Sequence, residues 1–435
     1  MNPFELKPRK IETLFLDWQD MSPIPYDSRA VDPYTKTRVI LMNGTEFEAI
    51  WFSHQFTRRC AIDGAGHGQG AQGFTTDNDL RRALALTRRQ EQQQQKLIGA
   101  LKPLDEDILV HTISYEQLAI DLTAALAKRE DNPYVKQALD FALLEDFDHL
   151  YRYADLMSFD SHMHAEELVG RYTEIMPGRP TIAHHRHPYD SVNSPMLDRE
   201  ASPVTKLCAS IITAAEQQTM NYYMNVAPFY PKEYGRRLYR EIGMVEEQHV
   251  THYGSLIDPT PTWLECNLMH QYTECFLYWS AMETETDGRI REIWSRMFDM
   301  EVSHLHKAAE LLLAYEGRTW QQVIPDGAFP APLKLTSNID YVRGILKDTV
   351  TLTADRESWT PVDQMPEDAD FFHYQSIVNN NVETVQSHDI IEREIQREGI
   401  DYRFETRENP IKALRNRKSD NTEVGRECRV PSATK

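Results

Sequence analysis

An all-α fold built from helical hairpins is what the sequence predicts, and three observations carry that reading. From about residue 105 to 315, apolar residues recur at helical spacing through six segments of roughly 25 residues. Four segments open with a proline behind a capping residue: Asn132-Pro133, Ser202-Pro203, Tyr230-Pro231 and Thr260-Pro261. A proline there costs a helix nothing, because the first N–H has no intrahelical partner. Sustained alternation of β-branched and aromatic residues occurs nowhere, so almost no sheet is expected.

Residues 1–43 are punctuated by proline (SPIPYD, VDPYTK) and read as an extended arm, followed by a short helix from Thr45 to Arg59. The stretch GAGHGQGAQG at 64–73 holds one GxGxxG, from Gly68 to Gly73. Without a preceding strand or a βαβ pattern it reads as a flexible loop rather than a dinucleotide fingerprint. Residues 77–98 form a polar, strongly helical segment. Helices are then expected near 105–130, 133–158, 203–226, 231–257, 261–285 and 288–315. Each is roughly 37 Å long at about 1.5 Å per residue. Short loops make antiparallel hairpins of them, except for the long connection at 159–202. Beyond 320, Asn338–Lys347 and Asp368–Arg397 look helical, and the charged tail from 400 reads as a partly ordered arm. The expected organisation is an arm with accessory helices (1–100), a helical domain of three hairpins (101–320), and a helical extension with a charged tail (321–435).

Composition narrows the function. Hydrophobic residues make up 41% and charged residues 26%, enough apolar material for a sizeable core. Lys and Arg number 47 against 67 Asp and Glu, a net charge of −20. Nucleic acid and anionic membrane surfaces both demand basic patches, so neither is expected as a partner. The five cysteines are scattered without a CxxC pair, which argues against a disulfide framework and a four-cysteine metal site. The opening MNPFELKPRK lacks an apolar secretory core, and no run of about 18 apolar residues occurs. A cytoplasmic location is the expectation.

Each hairpin carries an acid in its first helix and an acid-x-x-His in its second. Hairpin one has Glu116, then Asp146 and His149; hairpin two has Glu216, then Glu246 and His249; hairpin three has Glu274, then Glu301 and His304. The first two sets are offset by 100 residues throughout, as are Gln117/Gln217, Tyr153/Tyr253 and Leu156/Leu256, which marks an internal repeat. Residues three apart on a helix lie about 5–6 Å from each other, so both can reach one ion. These acids sit on apolar faces: Glu116 between Ile113 and Ile120, Glu301 between Phe298 and Leu305. Buried ionised acids are costly unless something positive neutralises them. No matching set of lysines or arginines lies on these faces, so a bound metal is the simplest compensation. A single Glu-x-x-His is more often a solvated face; the repetition with matched upstream acids is what points to ligands.

The pattern resembles the ferritin-like superfamily of bacterioferritins, rubrerythrins, manganese catalases and di-iron oxygenases, which place a Glu on two helices and Glu-x-x-His on two others. The resemblance covers about 105–315. It implies a ferritin-like four-helix bundle extended by an additional hairpin and flanking helices. Helices one to four match the family's topology through the 159–202 crossover, at the expense of Asp146 where the family has Glu. Helices three to six offer two intact Glu-x-x-His motifs joined by a short link. Hairpin two belongs to both choices. The crossover's histidines (His162, His164, His184, His185, His187) read as part of a hydrated loop, with an additional metal site or a lid as the alternative. Tyr115, Tyr223, Tyr278 and Trp279 lie near candidate ligands and read as core aromatics able to carry hydrogen bonds or electrons.

Such a donor set suits two Fe or Mn ions, with zinc as competitor. In the first arrangement Asp146 and Glu246 would bridge, Glu116 and Glu216 would be terminal, and His149 and His249 would each bind one ion. The implied activity is an oxidoreductase that activates O2 or H2O2 on a small-molecule substrate. It would draw on an external electron donor unless the reaction is catalase-like. A non-catalytic iron-binding or storage protein, and a structural helical protein with a vestigial site, are the alternatives. The charge-rich surface and long arms fit a homodimer.

Overall fold

The computed structural model describes residues 1–59, 78–175, 185–197, 201–349, 352–361, 364–378 and 386–399. The GxGxxG stretch, His184 and the tail from 400 lie outside them. Among the described residues the helices are α1 (Pro33–Arg59), α2 (Asn78–Gly99), α3 (Ile108–Ala127), α4 (Pro133–Ser161), α5 (Ala165–Val169), α6 (Pro203–Val226), α7 (Glu233–Gly254), α8 (Trp263–Thr284), α9 (Gly288–Glu316), α10 (Ile339–Thr349), α11 (Asp370–Val378) and α12 (Gln386–Glu398). One small antiparallel sheet, β1 (Leu352–Asp355) with β2 (Ser358–Pro361), completes the secondary structure described.

Contacts divide the chain into two units, neither continuous in sequence. Unit 1 comprises Met1–Glu106, Pro195–Gln218 and Leu256–Lys334; unit 2 comprises Asp107–Ser194, Thr219–Ser255 and Leu335–Lys435. In unit 1 the hairpins α1–α2 and α8–α9 lie side by side, α1 packing on α8 and α2 on α9. In unit 2 the hairpin α3–α4 packs on α7 through α4, while α12 covers α4 and α7 and α10 covers α3 and α4. The core helices have little polar face. α3 has no exposed residue along its length, as expected of a helix surrounded by protein.

Caps explain most boundaries. Asn132 accepts from the backbone N–H of Tyr134 and Val135, with Pro133 at the first helical position. Before α8 the capping residue is Thr262 rather than Thr260. Its hydroxyl accepts from Glu265 N at 3.2 Å, and Glu265 Oε2 accepts from Thr262 N at 2.7 Å, a complete capping box. Two expectations need correction. Helix α1 starts at Pro33, not Thr45, so the stretch through 43 is not all arm. Asp32 Oδ1 accepts from Tyr34 N at 2.9 Å, and Asp32-Pro33 is the same cap-plus-proline start that marks α4. Helix α7 starts at Glu233, beyond Pro231, behind Lys232, whose side chain makes no capping bond. The stretch expected to be helical over 368–397 carries α11 and α12 among its described residues.

The first 32 residues pack on unit 1 as ordered chain. Phe4 stacks on Trp320 with ring centroids 3.9 Å apart, and Gln90 Nε2 donates to Ile11 O at 2.6 Å. Gln93 donates to Leu16 O at 2.8 Å and accepts from Leu16 N at 3.0 Å. Just past α8, buried Glu285 gathers Thr35 Oγ1 (2.6 Å), Trp294 Nε1 (3.2 Å) and the Arg38 guanidinium (3.3 Å). In unit 2, Trp359 of the β-hairpin stacks on Phe141 at 3.6 Å.

Candidate metal centre

Unit 2 collects its acids where α3, α4 and α7 meet. Glu116, Asp146, His149, Glu246 and His249 are all at 0% exposure. Two groups of ligand atoms gather there, each with members within 4.8 Å of one another: Asp146, Glu246 and His249 in one, Glu116, His149 and Glu246 in the other. Glu246 belongs to both. His149 Nδ1 lies 2.9 Å from Glu246 Oε1. His249 Nδ1 lies 3.2 Å from Asp146 Oδ1 and 3.3 Å from Glu246 Oε2, and the two imidazole centroids are 5.6 Å apart. Residues one helical turn apart therefore supply both the acid and the imidazole on α4 and on α7, as the i, i+3 spacing requires.

The tautomer of His249 follows from its other nitrogen. Nε2 lies 2.9 Å from Glu145 Oε2, a carboxylate that also accepts from Arg186 Nη1 at 2.8 Å. A carboxylate in contact with a guanidinium only accepts, so Nε2 carries the proton. In a neutral ring Nδ1 then presents its lone pair to Asp146 and Glu246. Lone pair facing two acids is unfavourable unless a cation stands among them. That is how a metal-ligating histidine is usually held, with its far N–H fixed by a carboxylate. The donors are hard carboxylate oxygens and neutral imidazoles, a set that fits a divalent first-row ion.

Charge around the centre is sorted in pairs. Burial would push the Glu145 carboxyl up, but Arg186 and His249 outweigh it and hold its pKa at about 2. Asp148 pairs with Arg152 at 3.2 Å. The absence of arginines expected from the helix faces is thus corrected: Arg152 follows on α4, and Arg186 arrives from the crossover. Both are fully buried, and both neutralise acids beside the ligand groups. Burial raises the Asp146 pKa; in Glu246 burial is outweighed, chiefly by His149, and the carboxyl titrates far below its ordinary range. Tyr223 donates to Glu116 Oε1, and burial drives that phenol well above its ordinary pKa, so it remains a donor. Tyr153 and Tyr239 pack beside it at 5.1 and 5.8 Å.

The crossover is also not simply a hydrated loop. His185, 8% exposed, contacts Glu241 Oε1 at 3.3 Å, and Arg186 next to it is fully buried. His162 ends α4 in the left-handed region at φ 55°.

Of the other expected ligands, Glu216 is buried on α6 at 1% exposure, in the last residues that belong to unit 1. Glu274, Glu301 and His304 are buried within unit 1. Two residues beside the centre escaped the sequence. Glu145 and Arg186 carry no motif.

No protein-family model, curated protein or solved structure matches the chain. Among the described residues no helix is long and apolar enough to cross a membrane.

Proposed function

We propose that the chain is a ferritin-like, metal-dependent oxidoreductase whose unit 2 binds two iron or manganese ions and uses them to activate O2 or H2O2. The observation that carries the reading is Glu246, a buried carboxylate common to two adjacent ligand groups, each with its own histidine. Glu246, Asp146 and Glu116 would hold the ions through their carboxylate oxygens, and His149 and His249 through imidazole nitrogen.

Two adjacent redox ions supply the two electrons that dioxygen or peroxide chemistry requires. The remaining work is the protein's. Glu145 fixes the ring of His249, Arg186 keeps Glu145 ionised, and Tyr223 holds Glu116 in place. The aromatic layer of Tyr153, Tyr223 and Tyr239 keeps bulk water from the acids. An organic substrate would call for an external electron donor, whereas peroxide disposal would be self-contained.

The test is elemental analysis of natively purified full-length protein, with optical spectra before and after O2 or H2O2, repeated on His249→Ala. Bound iron or manganese that changes spectrum with the oxidant, and falls in the variant, is the expected result. Unaltered metal content in His249→Ala would refute the centre. Many irons per chain would favour storage instead.

A further inference from the structure

Within unit 1, helices α1 and α8 and the part of α6 that belongs to the unit wall a chamber of about 220 Å³. Thr45, Glu48 and Phe52 line it from one face of α1, Thr213 from α6, and Thr273 and Leu277 from α8. The lining is mostly apolar, and the chamber shares Asp258, Glu265 and Met269 with a larger adjoining cavity of about 810 Å³. A concave, apolar space with a few placed polar groups is the usual form of a small-molecule site. An engineered cavity of about 150 Å³ takes up benzene, so this chamber has room for an alkyl chain of about six to eight carbons.

The polar groups on these three helix faces offer acceptors. Thr45 Oγ1 donates to Leu41 O at 3.0 Å, Thr213 Oγ1 to Ala209 O at 2.7 Å and Thr273 Oγ1 to Met269 O at 2.9 Å. Each hydroxyl hydrogen is returned to its own helix, and the oxygen keeps only lone pairs for a ligand. Glu48 adds a carboxylate. Among the described residues this half-buried acid makes no hydrogen bond or ion pair, even with Lys206 on the same lining, and burial by itself pushes its carboxyl above the ordinary value. Glu265, by contrast, is already spent: its Oε2 accepts from Thr262 N at 2.7 Å and its Oε1 from the Arg318 guanidinium. A carboxylate in apolar surroundings gains most from a partner that brings both positive charge and N–H donors.

We propose that unit 1 binds a primary aliphatic amine, with its chain in this chamber and its ammonium on Glu48. An ammonium carries three donors and no acceptor, which matches a carboxylate and threonine oxygens that only accept. A carboxylic acid of the same length would set its own acceptors against them. An alcohol would fill the same space but leave Glu48 without a counter-charge. The site does not rest on the unit 2 centre, because its ligand is organic and its residues all belong to unit 1.

The experiment is isothermal titration of the full-length chain at neutral pH with three probes of one length: n-hexylamine, 1-hexanol and hexanoate. The amine is expected to bind at least tenfold more tightly than the alcohol, and hexanoate more weakly than either. Glu48→Gln, a near-isosteric change, should abolish the amine's advantage and leave the affinity for hexanol as it was. Should that chain fail to fold, Glu48→Asp, which draws the carboxylate back by one methylene, reads the same loss of preference. An amine that binds no better than hexanol, or worse than hexanoate, would overturn the proposal. So would amine binding that is unchanged when Glu48 is replaced, the result that coordination to a metal in unit 2 would give.

Discussion

Replacing Arg186 by Met in metal-free protein tests the charge sorting beside the centre. The guanidinium is fully buried and lies 2.8 Å from Glu145 Oε2, with Nε 3.1 Å from Ser191 Oγ. Removing it leaves a buried carboxylate whose remaining partner is an imidazole, and breaking a buried pair from one side costs about 3–5 kcal/mol. Titration gives a similar scale. Glu145, ordinarily near 4.5, is held at about 2, a depression worth about 3 kcal/mol at neutral pH and shared between Arg186 and His249. A lowered folded-state pKa means this stability is present above about 4.5 and is lost as pH falls through about 2. The penalty of Arg186→Met should therefore shrink over that interval. Thermal unfolding at neutral pH should drop by on the order of 10 °C. Arg186→Met with Glu145→Leu should recover much of the loss, because no lone charge remains. A neutral-pH cost below about 1 kcal/mol, or a double variant no better than the single, would refute the reasoning.

Other outcomes follow from single contacts. Tyr223→Phe removes the hydrogen bond to Glu116 and should weaken metal binding in unit 2 by roughly 10–100-fold, read by competition with a chelating dye. Glu91 is pushed up to about 7 by burial, partly offset by His304, so the folded state holds a proton the unfolded chain has lost. Metal-free protein should lose up to about 3 kcal/mol as pH rises from about 4.5 to about 7, and Glu91→Gln should flatten that slope in urea titrations. A Cβ at Gly235 would meet the Tyr230 ring at 2.2 Å, and that ring is pinned by its hydroxyl on Asp160 at 2.5 Å. Gly235→Ala should cost about 1–3 kcal/mol in the same assay.

The helices from α3 to α9, and the hairpins α3–α4 and α8–α9, were legible because periodicity and capping act locally. The bounds expected for α4 and α6 agree with those observed to within a few residues. Acid-x-x-His was legible for the same reason: three residues on one helix fix two side chains side by side. What escaped needed partners distant in sequence. Arg186 is one basic residue in a histidine-rich connection, and only packing reveals that it sits against Glu145. The proline-dense beginning was misread because Asp32-Pro33 resembles its irregular surroundings until Tyr34 N is seen to be capped.

The interleaving of the two units has a consequence for biosynthesis. Hairpin α1–α2 leaves the ribosome first, yet its packing partners α8 and α9 are encoded after unit 2's own long hairpin and α7. Roughly 160 residues separate α2 from α8, or on the order of 10–30 s of translation. Over that interval the nascent helices expose Leu80, Leu84, Leu97 and Phe56, all buried in the finished molecule. Their dependence on a late-arriving companion makes them a natural client for a holding chaperone, and a transcript cut short before α8 would yield a product prone to aggregate.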